Sequence, residues 1–183
     1  MLNVKIKKYI DRKKVIGVPE RIEKKICVQL RIDRDELRDE LLKRTTYIAV
    51  PLQGNGQDTE EYYDRLLLTA DEDIWVGDRL QEAGDRVCEV LAGYLTGDGC
   101  TFDEQGHCCM TLLLPCATVP GTADRIARII KEIFVLYVLT HWFDDRLPEK
   151  AQYIALQYDE AIDLLKARLN RRSRPIVRPV RHL

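Results

Sequence analysis

The chain has 183 residues, of which 45% are hydrophobic and 32% charged, with a formal net charge of −1. That length suits one domain, or one domain with a small appendage, and that composition is ordinary for a globular protein that buries a real core. The charge is unevenly laid out: residues 1–31 carry ten Lys/Arg against three acids, 32–119 seven against nineteen, 120–169 seven against eight, and the tail from 170 five arginines with no acid. Basic ends around an acidic middle suit a protein whose ends meet acidic surface on a neighbour.

Leu2, Val4 and Ile6 alternate with polar residues as a short strand does. A second alternation, Ile26, Val28, Leu30 and Ile32 against Cys27, Gln29 and Arg31, predicts a strand over Lys25–Ile32. Asp33 with Glu36 three residues on reads as a capping box opening a short helix to about Arg44. Thr45–Val50 returns to β-type residues, and Pro51–Asp58 with Gly54-Asn-Gly56 is a loop. Tyr62–Leu68 fits a short helix or a strand equally well. Thr69-Ala-Asp-Glu72 is a capping box for a helix with apolar positions Val76, Leu80, Ala83, Val87, Val90, Leu91 and Tyr94. Gly77 and Gly84 on that helix cost it roughly 1 kcal/mol each relative to Ala, which a close approach of another backbone at that face would explain. Asp98-Gly99 ends the segment. Thr101–Glu104 and Cys108–Leu114 form a β-hairpin across Gln105-Gly-His107.

Thr122 caps the next helix, whose stretch Ile133–Phe143 contains no charge and so requires burial on nearly every side. The break at Asp144–Pro148 and a second amphipathic run to Leu169, with Ala151, Ile154, Ala155, Tyr158, Ile162, Leu165 and Leu169 on one face, predict an antiparallel αα-hairpin. The expected fold is therefore α+β and mainly α: a helical bundle built on a long αα-hairpin, with a small N-terminal β element, a β-hairpin insert and an extended C-terminal tail. The divisions are an α+β element over 1–68, a helical core over 69–170 with the insert near 100–114, and the tail over 171–183. In that tail, Arg171, Arg172, Arg174, Arg178 and Arg181 interleave with Pro175, Ile176, Val177, Pro179 and Val180. The two prolines forbid a continuing helix, and a purely solvated tail has little use for the β-branched residues. These ten positions are the candidate partner-binding residues.

Candidate chemistry is sparse. Cys100, His107, Cys108, Cys109 and Cys116 invite zinc, but they contain no Cys-x-x-Cys knuckle, and adjacent cysteines on a strand point to opposite faces. With no continuous apolar leader at the start, the six cysteines read as free thiols of a protein made in cytoplasm. His141 with Asp144 and Asp145 has the spacing of a His–carboxylate pair near a helix C-terminus, where the helix dipole alone favours a histidine. No phosphate loop, membrane span or nucleic-acid module is legible. The expectation is no catalytic residue, no cofactor, no metal, no membrane and no specific nucleic acid, with at most non-specific proximity to DNA.

The capped helix after Thr69, the β-like insert, the apolar helix ending His141-Trp-Phe143, the helix with Tyr158-Asp-Glu-Ala-Ile-Asp-Leu-Leu-Lys166 and the basic, proline-containing tail together resemble small virion proteins of tailed bacteriophages and prophages of gut Bacteroidetes. In outline, over roughly residues 33–183, they are similar to head–tail connector, adaptor or neck-ring proteins. The resemblance implies a non-enzymatic ring component of the virion that bridges portal and tail. Its partners would be copies of itself and portal or tail proteins, and its extended tail would dock on neighbouring subunits. A tail-completion protein is the related alternative. From the residues, a small cytoplasmic enzyme or ligand-binding domain using His141 and Asp144 is the alternative of another class.

Overall fold

The computed structural model describes residues 3–10, 24–49, 65–115 and 121–170. Strands β1 (Asn3–Ile10) and β2 (Lys24–Ile32) are followed by α1 (Arg34–Ala49), a 3-10 turn at Ala70–Glu72, and α2 (Asp73–Leu91). Then come β3 (Leu95–Phe102), β4 (Cys108–Pro115), α3 (Thr122–Asp144) and α4 (Pro148–Asn170). The fold is mainly helical, with the four strands in one antiparallel sheet of order β1-β2-β4-β3.

The period-two patterns of β2 and β4 fall on one face of that sheet. Val28 pairs with Leu112, Leu30 with Met110 and Ile32 with Cys108, and all six are buried, whereas Gln29 and Arg31 between them are exposed. Because the pleat places alternate side chains on opposite faces, one strand pairing delivers two apolar rows to the helices at once. Pairing of β2 with β4 joins the N-terminal strands and the hairpin into one sheet. β3 runs alongside β4 from Phe102 back to Leu95, with its register broken between Cys100 and Leu95. Gly97 and Gly99 sit in that break at φ 73° and 82°, left-handed values that only glycine adopts without strain. So Asp98-Gly99 does not terminate a segment; it lies inside a strand that bulges.

α1 begins where expected and ends later. Asp33 caps it, its Oδ1 accepting from Asp35 N at 2.9 Å, and Glu36 reaches Lys131 Nζ at 3.1 Å. The β-type run Thr45–Val50 is helical as far as Ala49. Thr45 and Ala49 continue the buried row of Leu37 and Leu41, and Thr45 Oγ1 donates to the carbonyls of Leu41 and Leu42 at 3.0 Å. Burial of a four-residue repeat outweighs the few tenths of a kcal/mol by which threonine disfavours helix. Of Tyr62–Leu68, the part from Arg65 is described; Arg65 and Leu66 are helical, and Leu66 and Leu68 are buried.

The Thr69 capping box is present, accepting from Asp71 and with Glu72 bonded back to Thr69 N at 2.8 Å. It introduces α2, whose Val76, Leu80, Ala83, Val87 and Leu91 are buried. The two glycines of α2 differ. A Cβ on Gly84 would lie 3.1 Å from the Phe102 ring, so a side chain of β3, not a backbone, makes the close approach; a Cβ on Gly77 would meet nothing nearer than Arg34 at 3.7 Å.

α3 packs against α1, α2, α4 and β2. Ile133, Phe134, Val135, Leu136, Val138, Leu139, Trp142 and Phe143 are buried, as the uncharged run requires. Thr122 is its first residue rather than its cap: Gly121 occupies the cap position with φ 75°, and Thr122 is buried. α4 lies on α3, buries Ala151, Ile154, Leu165 and Leu169, and sets Tyr158 against Tyr137 at 5.8 Å between rings. Among the described residues, no helix is long and apolar enough to cross a membrane.

Two stability tests follow. Leu165→Ala and Tyr137→Ala should each cost about 2–5 kcal/mol in denaturant unfolding, through the cavities they leave between α3 and α4. Gly77→Ala should stabilise by about 0.5–1 kcal/mol as helix propensity is gained in open space. Gly84→Leu should destabilise by about 1–3 kcal/mol, because Phe102 occupies the volume it needs.

Candidate functional site

The ten candidate residues of the tail, Arg171, Arg172, Arg174, Pro175, Ile176, Val177, Arg178, Pro179, Val180 and Arg181, lie outside the described residues. The point from which the tail departs is described. Asn170 ends α4, accepts from Tyr94 Oη at 3.0 Å on its Oδ1, and donates from Nδ2 to the Lys166 carbonyl at 3.0 Å.

The helix leading to that point is apolar on two sides. One side is the buried face described above. On the other, Tyr153 is 55% exposed, Leu156 64% and Leu164 44%. At 100° per residue these three share a sector roughly opposite the buried row. Glu149, Glu160 and Asp163 project into the same sector, all exposed, with Asp163 paired to Lys166 at 3.3 Å and Lys150 placed 5.4 Å above the Tyr153 ring. Three large apolar side chains among carboxylates on one helix face are more than scattered surface leucines, and nothing in helix formation requires them there. The amphipathic run was legible from sequence as a buried face; this second face was overlooked, although the spacing of Tyr153, Leu156 and Leu164 carried it.

The His141 region is a shallow groove of about 470 Å³ beside the start of α2, bordered by Ile74, Trp75, Asp78, His141, Asp145 and Arg146. Asp145, not Asp144, borders it together with His141. The imidazole is exposed, stacks on Tyr137 at 4.4 Å and donates from Nδ1 to the Tyr137 carbonyl at 2.9 Å. Arg146 lies 3.7 Å over the Trp142 ring and donates to the carbonyls of Arg65 and Trp142. The Trp142 indole donates to Leu66 O at 2.9 Å and meets Trp75 edge-on at 5.4 Å. These bonds clamp the segment before Thr69 onto the end of α3. The described hydrogen bonds of His141 and Arg146 go to backbone carbonyls, those of Tyr137, Arg65 and Trp142.

The cysteines divide as the alternation requires. Cys109, paired with Arg31, belongs to the outer row of the sheet, while Cys108 is buried on the helix side. His107 serves the fold: its Nδ1 accepts from Arg34 N at 3.1 Å, at the first turn of α1, and Asp103 Oδ1 receives its N–H at 2.9 Å. Cys116 lies outside the described residues. Among the described residues, no three His, Cys, Asp or Glu side chains are placed to hold a metal ion. The sulfur that sequence reasoning missed is Cys88 of α2, one turn beyond Gly84. Its Sγ accepts from Cys100 N at 3.1 Å, and Cys100 Sγ lies 2.7 Å from Cys108 Sγ.

No protein-family model, curated protein or solved structure matches this chain.

On the outer face of the sheet, Gln29, Arg31, Thr101, Cys109 and Thr111 border an open depression of about 450 Å³ beside Gly97 and Gly99. Arg31 donates there to Asp103 at 3.3 Å and Gln105 at 3.5 Å. Its floor is the bulged ladder itself, and its edge residues are polar.

His141→Ala should cost less than about 1 kcal/mol in chemical denaturation, as expected for an exposed residue that loses one ring contact and one local bond. Metal analysis of the full chain purified without chelator should find no stoichiometric zinc. One zinc per chain, lost with the fold on replacing Cys100 and Cys116, would contradict the reading of these groups as free thiols.

Proposed function

We propose that this chain is a non-enzymatic structural component of a tailed-phage virion. In this reading it is a head–tail connector or ring protein, a helical bundle built on the α3–α4 hairpin, made in the host cytoplasm and carried in the particle. It bridges portal and tail and assembles by docking its C-terminal tail on neighbouring copies. The observation that carries the reading is the outer face of α4. Tyr153, Leu156 and Leu164 stand exposed among Glu149, Glu160 and Asp163, on the helix that leads directly into a segment of opposite charge. Ile176, Val177 and Val180 match the apolar side chains of that face in kind, and Arg174, Arg178 and Arg181 match its carboxylates.

A cyclic assembly needs two different patches per subunit, because a heterologous contact closes only when one subunit's donor meets the next one's acceptor. The tail and the α4 face form such a pair. An extended segment of thirteen residues, 171–183, reaches at most roughly 45 Å, more than the length of the 23-residue helix α4. It therefore spans that face on an adjacent copy. Ordering such a segment costs conformational entropy, which the apolar contacts offset only in the assembly.

The test is removal of residues 171–183. The remaining chain should stay folded, since Leu169 is the last buried position of α4. It should sediment as a monomer, and fail to join portal complexes seen by electron microscopy, under conditions where the full chain associates. Arg174→Glu with Arg178→Glu should weaken association about tenfold at low salt, roughly 1.4 kcal/mol, with a smaller effect at high salt. Replacing Ile176 and Val177 by serine should weaken it at either salt concentration. Complete rings and infectious particles from the tail-less chain would overturn the docking mechanism, and a turnover dependent on His141 would overturn the non-enzymatic assignment.

A further inference from the structure

Three thiols meet where α2 crosses the β3–β4 hairpin. Cys100 is at the centre: its Sγ lies 2.7 Å from Cys108 Sγ, and its backbone N–H donates to Cys88 Sγ at 3.1 Å. The Cys100–Cys108 approach is well inside ordinary sulfur contact and less than about 1 Å longer than an S–S bond of roughly 2.05 Å. The register explains it. Cys100 pairs with Met110 and Cys108 with Phe102, so the two cysteines are diagonal neighbours on the helix-side row of the sheet. Gly84 and Gly99 make the room. A Cβ on Gly84 would sit 3.4 Å from Cys100 Sγ, and one on Gly99 would sit 3.6 Å from Cys88 Sγ. Cys108 is fully buried, while Cys88 and Cys100 keep partial exposure.

We propose that Cys88, Cys100 and Cys108 form a peroxide-sensitive thiol site in which Cys100 is oxidised, Cys108 resolves it to an intrachain disulfide, and Cys88 can exchange into that disulfide. The Cys100 thiolate attacks one oxygen of hydrogen peroxide; the S–O bond forms, the O–O bond breaks, and hydroxide leaves with a proton as water. The Cys108 thiol then displaces the hydroxyl of the Cys100 sulfenic acid, giving the S–S bond and a second water. Two thiols are oxidised and one peroxide is reduced. Attack of Cys88 on Cys100 afterwards transfers the bond to Cys88–Cys100 and returns Cys108 as a thiol, with no net redox change.

The environment divides the roles the same way. Hydrogen bonding from Cys108, and then from Cys88, holds the Cys100 thiol below its usual range in spite of burial. Cys108 is pushed up by its bond to Cys100 and then by burial, and Cys88 is pushed up to about 11 by burial and then by the Cys100 charge. Cys100 is thus the most acidic of the three thiols and its two neighbours hold their protons more tightly, the ordering that attack and then resolution require. The first disulfide joins β3 to β4, and the exchanged one joins β3 to α2. The inference does not depend on the head–tail reading.

The experiment uses the reduced full chain, freed of reductant, exposed to hydrogen peroxide, quenched with iodoacetamide and mapped by peptide mass. The first product should be a Cys100–Cys108 cross-link two hydrogens lighter than the reduced pair, with Cys27 and Cys109 still alkylated and a Cys88–Cys100 species growing later. Cys109→Ser should change nothing, and Cys108→Ser should move the cross-link to Cys88–Cys100. The time course on the natural chain decides the matter even if Cys108→Ser fails to fold. A first cross-link through Cys27, Cys109 or Cys116, sulfinic acid on Cys100 without any cross-link, or a Cys100 that remains alkylatable throughout would each overturn the proposal.

Discussion

The structure depends on covering α3. A helix whose C-terminal half is uncharged exposes a large apolar surface in every direction, and at about 1.5–3 kcal/mol per large side chain no single neighbour offsets leaving the rest wet. α1, α2, α4 and the inner face of the sheet each take one side of it. Its polar N-terminal half carries the ion pairs that orient these layers. Glu132 receives both Arg44 guanidinium nitrogens at 2.7 Å, and Lys131 reaches Glu36 at 3.1 Å. Those pairs are partly exposed and contribute about 1 kcal/mol apiece at most, so they set the azimuth of α1 on α3 while apolar burial supplies the stability.

That constraint accounts for the sheet as well. β2 and β4 share one apolar face, and they present it to the helices, while Gln29 and Arg31 on the opposite face are exposed. β1 lies at one edge of the sheet. At the other edge, β3 bulges through Gly97 and Gly99, then straightens to bring Phe102 and Cys100 onto Gly84 of α2. The thiol cluster is a product of that contact. A side chain at position 84 would hold α2 away from the hairpin, and Cys88 would no longer reach the Cys100 amide.

α4 is where fold and surface diverge. Its inner row closes the core over α3, and its outer row, Tyr153, Leu156 and Leu164, does nothing for the fold. These side chains remain in water among the described residues, with the carboxylates of Glu149, Glu160 and Asp163 between them. The His141 groove, by contrast, consists of groups that fasten the chain before Thr69 to the end of α3, with Trp142, Arg146 and Leu66 as the points of attachment. Trp142 and Arg146 in it bond to the backbone before Thr69, an attachment that the exposed row of α4 does not make.

Much of the fold was legible in the sequence because it follows from local periodicity. The alternation of Ile26–Ile32, the Thr69 capping box, the four-residue rows of α2 and α4 and the uncharged run Ile133–Phe143 each state which side must be dry, and the tertiary structure obeys them. What depended on neighbours was not legible. Thr45–Ala49 reads as β by residue type and is helix because its buried row continues Leu37 and Leu41. Gly84 reads as a weakness in α2 until Phe102 is seen to fill its place. The joining of β2 to β4 across some eighty residues, and the meeting of Cys88 with Cys100 and Cys108, arise from long-range packing that no short window records. The sequence by itself determined which faces are apolar, since that is set by side-chain chemistry and backbone period. Only the tertiary structure decided which of those faces find a partner among the described residues and which, like the outer face of α4, do not, because burial is a property of the assembled layers and not of any one element.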